Sequence, residues 1–352
     1  MLPASTDNEV VLNFEPTREF PRNSEGAFGN LKDGRILFAY SQFYGGDRDH
    51  SPSRIAAIES SDGGRTWSKP RPLVENVGAQ NIMSVSFIRM RDGSLAMFYL
   101  HRNTLEDLTP RKVVSLDEGR TWSAPEPTFE APGYFVVNND RIVRLKSGRL
   151  VAPAAYHRAR NKSELDLNGI AMWFLSNDDG KTWRESNTKW MAPQHCWSGL
   201  QEPGVVELAD GSIFSWARTT LGCQYVMRSV DDCVHFSPPE PSELMSPCGP
   251  ASIKRLPESD ALLCLFNDHS GRFPRRAESD WRTPLVAGIS RDGGRTWPKR
   301  TRLEDDPQGG FHYTAIHYVG EHVLLAYCAG DKDIGWLNRL RIRRVRLSLL
   351  TD

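Results

Sequence analysis

Net charge is the first thing this sequence lacks. Its 352 residues carry 44 basic and 44 acidic side chains, so no global field draws the chain to nucleic acid or to an anionic membrane. Long apolar runs are missing as well, and none approaches the roughly 18 residues needed to cross a bilayer. The opening Met1-Leu2-Pro3-Ala4-Ser5-Thr6-Asp7-Asn8 has no basic segment followed by an apolar one. No signal peptide is therefore visible, and the chain reads as a cytosolic or matured soluble protein. Six cysteines (Cys196, Cys223, Cys233, Cys248, Cys264 and Cys328) show no CxxC spacing and are expected to be mostly buried thiols. No His/Cys cluster has the spacing of zinc ligands.

What the chain does contain is a repeat. Ser60-Ser61-Asp62-Gly63-Gly64-Arg65-Thr66-Trp67 returns as Ser115 to Trp122, Ser176 to Trp183 and Ser290 to Trp297, with a worn copy at Ser229 to Phe236. The starting serines are spaced 53 to 61 residues apart, which marks a repeat architecture. Ser-x-Asp-x-Gly-x-Thr-Trp suits a hairpin: Ser and Asp satisfy turn N–H groups, Gly takes a positive φ, and Trp folds back onto the sheet. These aspartates are read as structural.

A second punctuation recurs between the copies. Turns at Asp33-Gly34, Asp92-Gly93, Ser147-Gly148, Asp210-Gly211, Glu258-Ser259 and Gly320-Glu321 each precede an apolar strand such as Ile36 to Tyr40 or Val323 to Tyr327. Six such openings predict six sheets in one all-β domain, with units near 20–75, 76–130, 131–190, 191–244, 245–305 and 306–352. Nearly continuous apolar strands are expected where a strand lies between neighbouring sheets. Residues 9–14 are expected to add an outer strand to the last unit and close a ring. The arginines of Leu340 to Leu347 read as a solvated edge.

The boxes resemble the Asp-box (BNR) repeats of the sialidase, or neuraminidase, superfamily. That resemblance implies a six-bladed β-propeller whose boxes lie away from the active-site face. It also implies a site. Arg22 stands where the family has an arginine followed by Ile-Pro, although here Asn23 and Ser24 follow, and then Glu25. Arg218 and Arg282 match the other two arginines of a carboxylate-binding triad, a task suited to planar forks that never deprotonate. The loop Tyr44 to Pro52 offers Asp49 or Asp47 as the acid/base, Asp49 being preferred for its distance from the box. Glu202 matches the base, and Tyr313 the nucleophile. A phenol with an ordinary pKa near 10 needs such a base.

Softer candidates are Asn81 and Asn139, at the starts of inner strands, which either read sugar hydroxyls or cap the strands. His157 ends a strand, and Arg275 and Arg276 are rivals to Arg282. The resemblance implies a retaining exo-glycosidase that releases a terminal acidic, sialic-acid-type sugar through a tyrosyl intermediate, needs no metal or organic cofactor, and acts on a glycan or glycoconjugate. A glycosidase for a different sugar and a non-catalytic glycan-binding propeller are the alternatives; a protein-binding scaffold is a blander third.

Overall fold

The computed structural model describes residues 7–193, 195–274 and 282–352. The first blade consists of strands Arg22–Asn30, Ile36–Phe43, Ser53–Ser60 and Arg71–Val74, paired in that order from the axis outward. The fourth (Gln201–Glu207, Ile213–Arg218, Cys223–Ser229, Glu240–Met245) and the fifth (Ser252–Arg255, Leu262–Asn267, Leu285–Ser290, Lys299–Glu304) repeat it. The second and third blades share one larger sheet because Gly133–Val136 pairs with both Asp107–Ser115 and Leu150–His157. In the sixth, Gly309–Val319, His322–Asp331 and Leu340–Arg346 are completed from outside by the N-terminal strand Asn8–Phe14. A strand from the start of the chain thus pairs as the outer strand of the last sheet. Among the described residues, no helix is long and apolar enough to cross a membrane.

Packing shows why the blades form a ring. Among the described residues six buried apolar clusters span the seams between consecutive blades, the one between the second and third also taking in Phe43 of the first. Ala27, Leu37 and Ile55 of the first blade pack on Val85, Met97 and Val113 of the second. At the far end Phe38 and Ile58 of the first blade pack on Leu324 and Ile342 of the sixth. Strands buried on both faces need apolar residues at successive positions, hence the unbroken runs Ile36 to Tyr40 and Leu262 to Phe266. The arginines near the C-terminus are not a solvated edge. The N-terminal strand covers theirs, and Arg341 and Arg343 both pair with Glu304, at 2.7 and 2.9 Å.

The boxes form as their chemistry dictates. Asp292 Oδ1 accepts from the backbone N–H groups of Arg295 and Thr296, its Oδ2 accepts from the Thr296 hydroxyl at 2.6 Å, and Ser290 Oγ accepts from Gly294 N–H. In the worn copy His235 Nδ1 takes the threonine's place 2.8 Å from Asp231 Oδ2, and Cys233 adopts the positive φ of the glycine. Inner strands run toward the face bearing these turns, so the starts of the inner strands lie at the opposite face.

Candidate active site

At that opposite face four non-glycine residues have a positive φ. Glu25, Ser84, Glu202 and Tyr313 have φ of 51°, 59°, 49° and 60°, a left-handed conformation uncommon for residues other than glycine. Each sits where the inner-strand register slips: between Ser24 and Ala27, Met83 and Ser86, Gln201 and Gly204, and His312 and Ala315. Four blades thus carry the same bulge at the same depth. The four bulged residues all line one cavity of about 190 Å³. Non-glycine residues held in this region recur at functional sites.

The centre of the cavity is a tyrosine–carboxylate–guanidinium chain. The Tyr313 hydroxyl donates to Glu202 Oε1 at 3.1 Å. Arg218 lies side-on to the same carboxylate, with Nη2 donating to Oε1 at 3.0 Å and Nε 2.9 Å from Oε2. The hairpin explains that meeting, because Gln201 pairs with Arg218 across the first two strands of the fourth blade. Arg282 stands with its guanidinium 5.5 Å from the centre of the Tyr313 ring. Arg218 and Arg282 both donate to the Cys248 carbonyl, at 3.0 and 3.2 Å. Burial, and then the Glu202 charge, push the Tyr313 phenol above its ordinary range, so the hydroxyl keeps its proton until a base takes it.

Arg22 is almost wholly buried, and each arm of its fork is used. Nη1 donates to Asp49 Oδ1 at 2.6 Å, Nη2 to Glu25 Oε2 at 3.2 Å, and Nε to Ser24 Oγ at 3.1 Å. Burial pushes the Glu25 carboxyl up to about 7, even though the Arg22 charge opposes it. Asp49 goes the other way. Burial works against its ionised form, but Arg22 outweighs that and holds it below the usual carboxylate range. Its side chain is 65% exposed, so this pairing is made at the mouth of the cavity.

Five of the candidates do not line this cavity. Arg22 lies behind the carboxylates it pairs with. Arg282 lines a second cavity with Cys248 and His312 that, among the described residues, shares only Leu337 with the first. Asn81, Asn139 and Asp47 are engaged elsewhere. Asn81 is fully buried and donates to the backbone carbonyls of Asp49 and Ser51, at 2.6 and 2.9 Å. It ties down the Asp49 loop. Asn139 donates to the carbonyls of Gly26 and Tyr313, at 2.8 and 3.1 Å, and so braces two of the bulges. It belongs to an irregular turn, because the inner strand of the third blade begins only at Val143. Asp47 offers Arg22 its carbonyl at 3.3 Å, while its carboxylate accepts from Asn338 at 3.1 Å. Both asparagines spend their amide nitrogens on main chain, and their Oδ1 atoms are buried without a partner. Arg275 and Arg276 lie outside the described residues.

Arg102, Tyr134, Asn138 and Gln201 also line the cavity, and no motif in the sequence points to them. Arg102 has a weaker signal. It lies near the end of the second strand of its blade, opposite Asn81, as Arg218 ends its own opposite Gln201. Its Nη1 donates to the Asp49 carbonyl at 2.6 Å. His157 lines the wall too, with Nδ1 at 3.0 Å from the Asp166 carbonyl and its pKa lowered by burial, which keeps it neutral. Among the described residues, no group of three His, Cys, Asp or Glu is arranged to hold a metal.

Comparison with known proteins agrees with this picture. Residues 80–324 match the family model of the BNR repeat-like domain. A sialidase of Micromonospora viridifaciens is 25% identical over 332 residues, covering 84% of this chain and 48% of that protein. This chain therefore spans about half the length of that relative. A Dyadobacter fermentans protein of unknown function superposes with a TM-score of 0.74 at 18% identity, covering 97% of this chain and 100% of that one. The NanB sialidase of Streptococcus pneumoniae superposes with a TM-score of 0.73 at 16% identity, covering 99% of this chain and 72% of that one. With its Asp-boxes, its six blades and the matched repeat region, the chain belongs to the BNR repeat-like family within the sialidase superfamily.

Proposed function

We propose that this protein is a sialidase-type glycoside hydrolase that releases a terminal acidic sugar with retention, through a covalent bond to Tyr313. The observation that carries the reading is the hydrogen bond from Tyr313 to Glu202, with Arg218 fixing the far side of the carboxylate. Tyr313 oxygen attacks the anomeric carbon while Glu202 accepts the phenol proton. The bond to the leaving oxygen breaks, and that oxygen takes a proton from Asp49. Water then attacks the glycosyl–tyrosine, losing its proton to Asp49, and Glu202 returns its own to the phenolate oxygen. A neutral phenol avoids the repulsion that an anionic nucleophile meets beside a carboxylate-bearing carbon.

Asp49 is not set to act as an acid while it pairs with Arg22. A substrate carboxylate that takes the Arg22 Nη1 arm displaces Asp49, removes the charge that holds its pKa down, and leaves the exposed side chain free to carry a proton. Binding thereby primes the acid. Arg282, which has no carboxylate partner among the described residues, supplies the remaining charge for an acidic sugar.

The test is turnover of an aryl sialoside together with intact-mass analysis after incubation with a fluorinated sialosyl fluoride. The expected result is hydrolysis by the wild type and an adduct that maps to Tyr313. Tyr313→Phe should lose the adduct and about three or more orders of magnitude in kcat, with the fold unchanged. Undiminished turnover by Tyr313→Phe, or an adduct on another residue, rules out the tyrosyl route.

A further inference from the structure

A larger cavity, about 490 Å³, opens at the opposite end of the propeller axis, on the face that carries the boxes. It lies where inner strands of the third, fourth and fifth blades end. Its size falls within the range of small-molecule sites. Five of its lining residues are basic (Arg141, Arg144, Lys146, Lys254 and Arg255), and two are acidic, Asp140 and Glu207.

The ion pairs leave this balance incomplete. Lys254 is satisfied by Asp140 at 2.7 Å, and Arg144 by Asp179 at 2.5 Å. Lys146 stands 4.0 Å from Glu207 and also donates to the carbonyls of Leu208 and Ala209. Arg141 and Arg255 have no carboxylate within ion-pair distance among the described residues. Arg141 is the more telling of the two, because it is only 4% exposed. Its Nη2 donates to the Ala251 carbonyl and its Nη1 to Ser252 Oγ, while Nε has no hydrogen-bond partner. Asp140, beside it in the chain, is already engaged by Lys254 and by the Ile316 N–H. A buried guanidinium without a paired carboxylate is costly, and burial pulls this one below its ordinary range although the charges of Asp140 and Glu202 oppose it.

We infer that this cavity is a second ligand site, separate from the Tyr313 pocket, that takes a small molecule bearing a carboxylate or sulfate group. The oxyanion supplies the paired charge that Arg141 and Arg255 lack among the described residues, and the remaining volume accommodates a sugar-sized body. The site does not depend on the reaction proposed above, since it shares no lining residue with the cavity around Tyr313.

The test is calorimetric titration of the full chain with sodium sulfate, glucuronic acid and, as a neutral control, galactose, all at constant ionic strength. Saturable millimolar binding of sulfate or glucuronic acid, and none of galactose, is expected. Arg255→Ala, at a half-buried position with no side-chain partner among the described residues, should weaken that binding about tenfold or more while leaving the melting temperature of the free protein unchanged. Tyr313→Phe should bind the same anions as the wild type. Absence of saturable anion binding, or affinity unchanged by Arg255→Ala, overturns the assignment. So does loss of that binding in Tyr313→Phe, which would place the anion in the catalytic pocket. A ligand-soaked crystal with an oxyanion against Arg141 and Arg255 supports it directly.

Discussion

Replacing Glu25 by Gln tests the electrostatics of the site most sharply. Burial costs the ionised carboxylate more than Arg22 returns, and the folded pKa rises from 4.5 to about 7. A tenfold change in proton affinity corresponds to about 1.4 kcal/mol, so holding Glu25 ionised costs the folded state roughly 3 kcal/mol at alkaline pH. The sign follows from proton uptake. Between 4.5 and about 7 the folded state binds the proton more tightly, so this residue's contribution to stability falls as pH rises through that window and is constant above it. Gln cannot ionise. The variant and the wild type should therefore be nearly equally stable at about pH 4, and Glu25→Gln the more stable by about 3 kcal/mol near pH 8. Urea unfolding of both proteins across that range, read as the difference between them, isolates the residue from the other carboxylates. A Glu25→Gln protein less stable than the wild type at alkaline pH would refute the reasoning, since the attraction to Arg22 would then outweigh desolvation. Ligand binding supplies a second readout. With the negative charge beside its Nη2 arm removed, Arg22 should hold the unsaturated sialic acid analogue more tightly at alkaline pH in the variant, with a weaker dependence on pH.

Other outcomes follow from the same geometry. Glu202→Gln should lower kcat by about two or more orders of magnitude, because the amide cannot take the Tyr313 proton, while Tyr313 stays in place; stopped assays with an aryl sialoside measure it. Asn81→Ala should reduce kcat more than analogue affinity, because it loosens the Asp49 loop and leaves Arg218 and Arg282 untouched; kinetics and calorimetry on one preparation separate the two. Asp292→Ala should cost about 1–2 kcal/mol by denaturant unfolding with no change in kcat, since it removes the acceptor for several turn donors far from the site. Those same donors hold the Asp292 carboxyl down to about 2. The stability it provides should therefore be present above its ordinary value near 4 and be lost as pH falls toward 2.

The repeat, the turns and the number of blades are legible in the sequence because each is local. Ser290, Asp292, Gly294 and Thr296 build their turn from neighbours within a few residues, and a strand buried on both faces must be apolar along its length. Glu202 and Arg218 are legible for a related reason, because one hairpin joins them. The meeting of Tyr313 with Glu202 follows only from resemblance to a family; no local rule brings together residues 111 positions apart. Only the closed ring decides which polar residues at strand starts face the axis. Asn81 opens its inner strand three residues before the bulge at Ser84, and Asn139 precedes its strand altogether. Their amide nitrogens are spent on the backbone of other segments, while Glu25 and Glu202 sit on left-handed bulges that turn them inward. The pairing of Arg22 with both Glu25 and Asp49, and the charge left on Arg141, likewise depend on burial that six interlocking blades create and no single strand encodes.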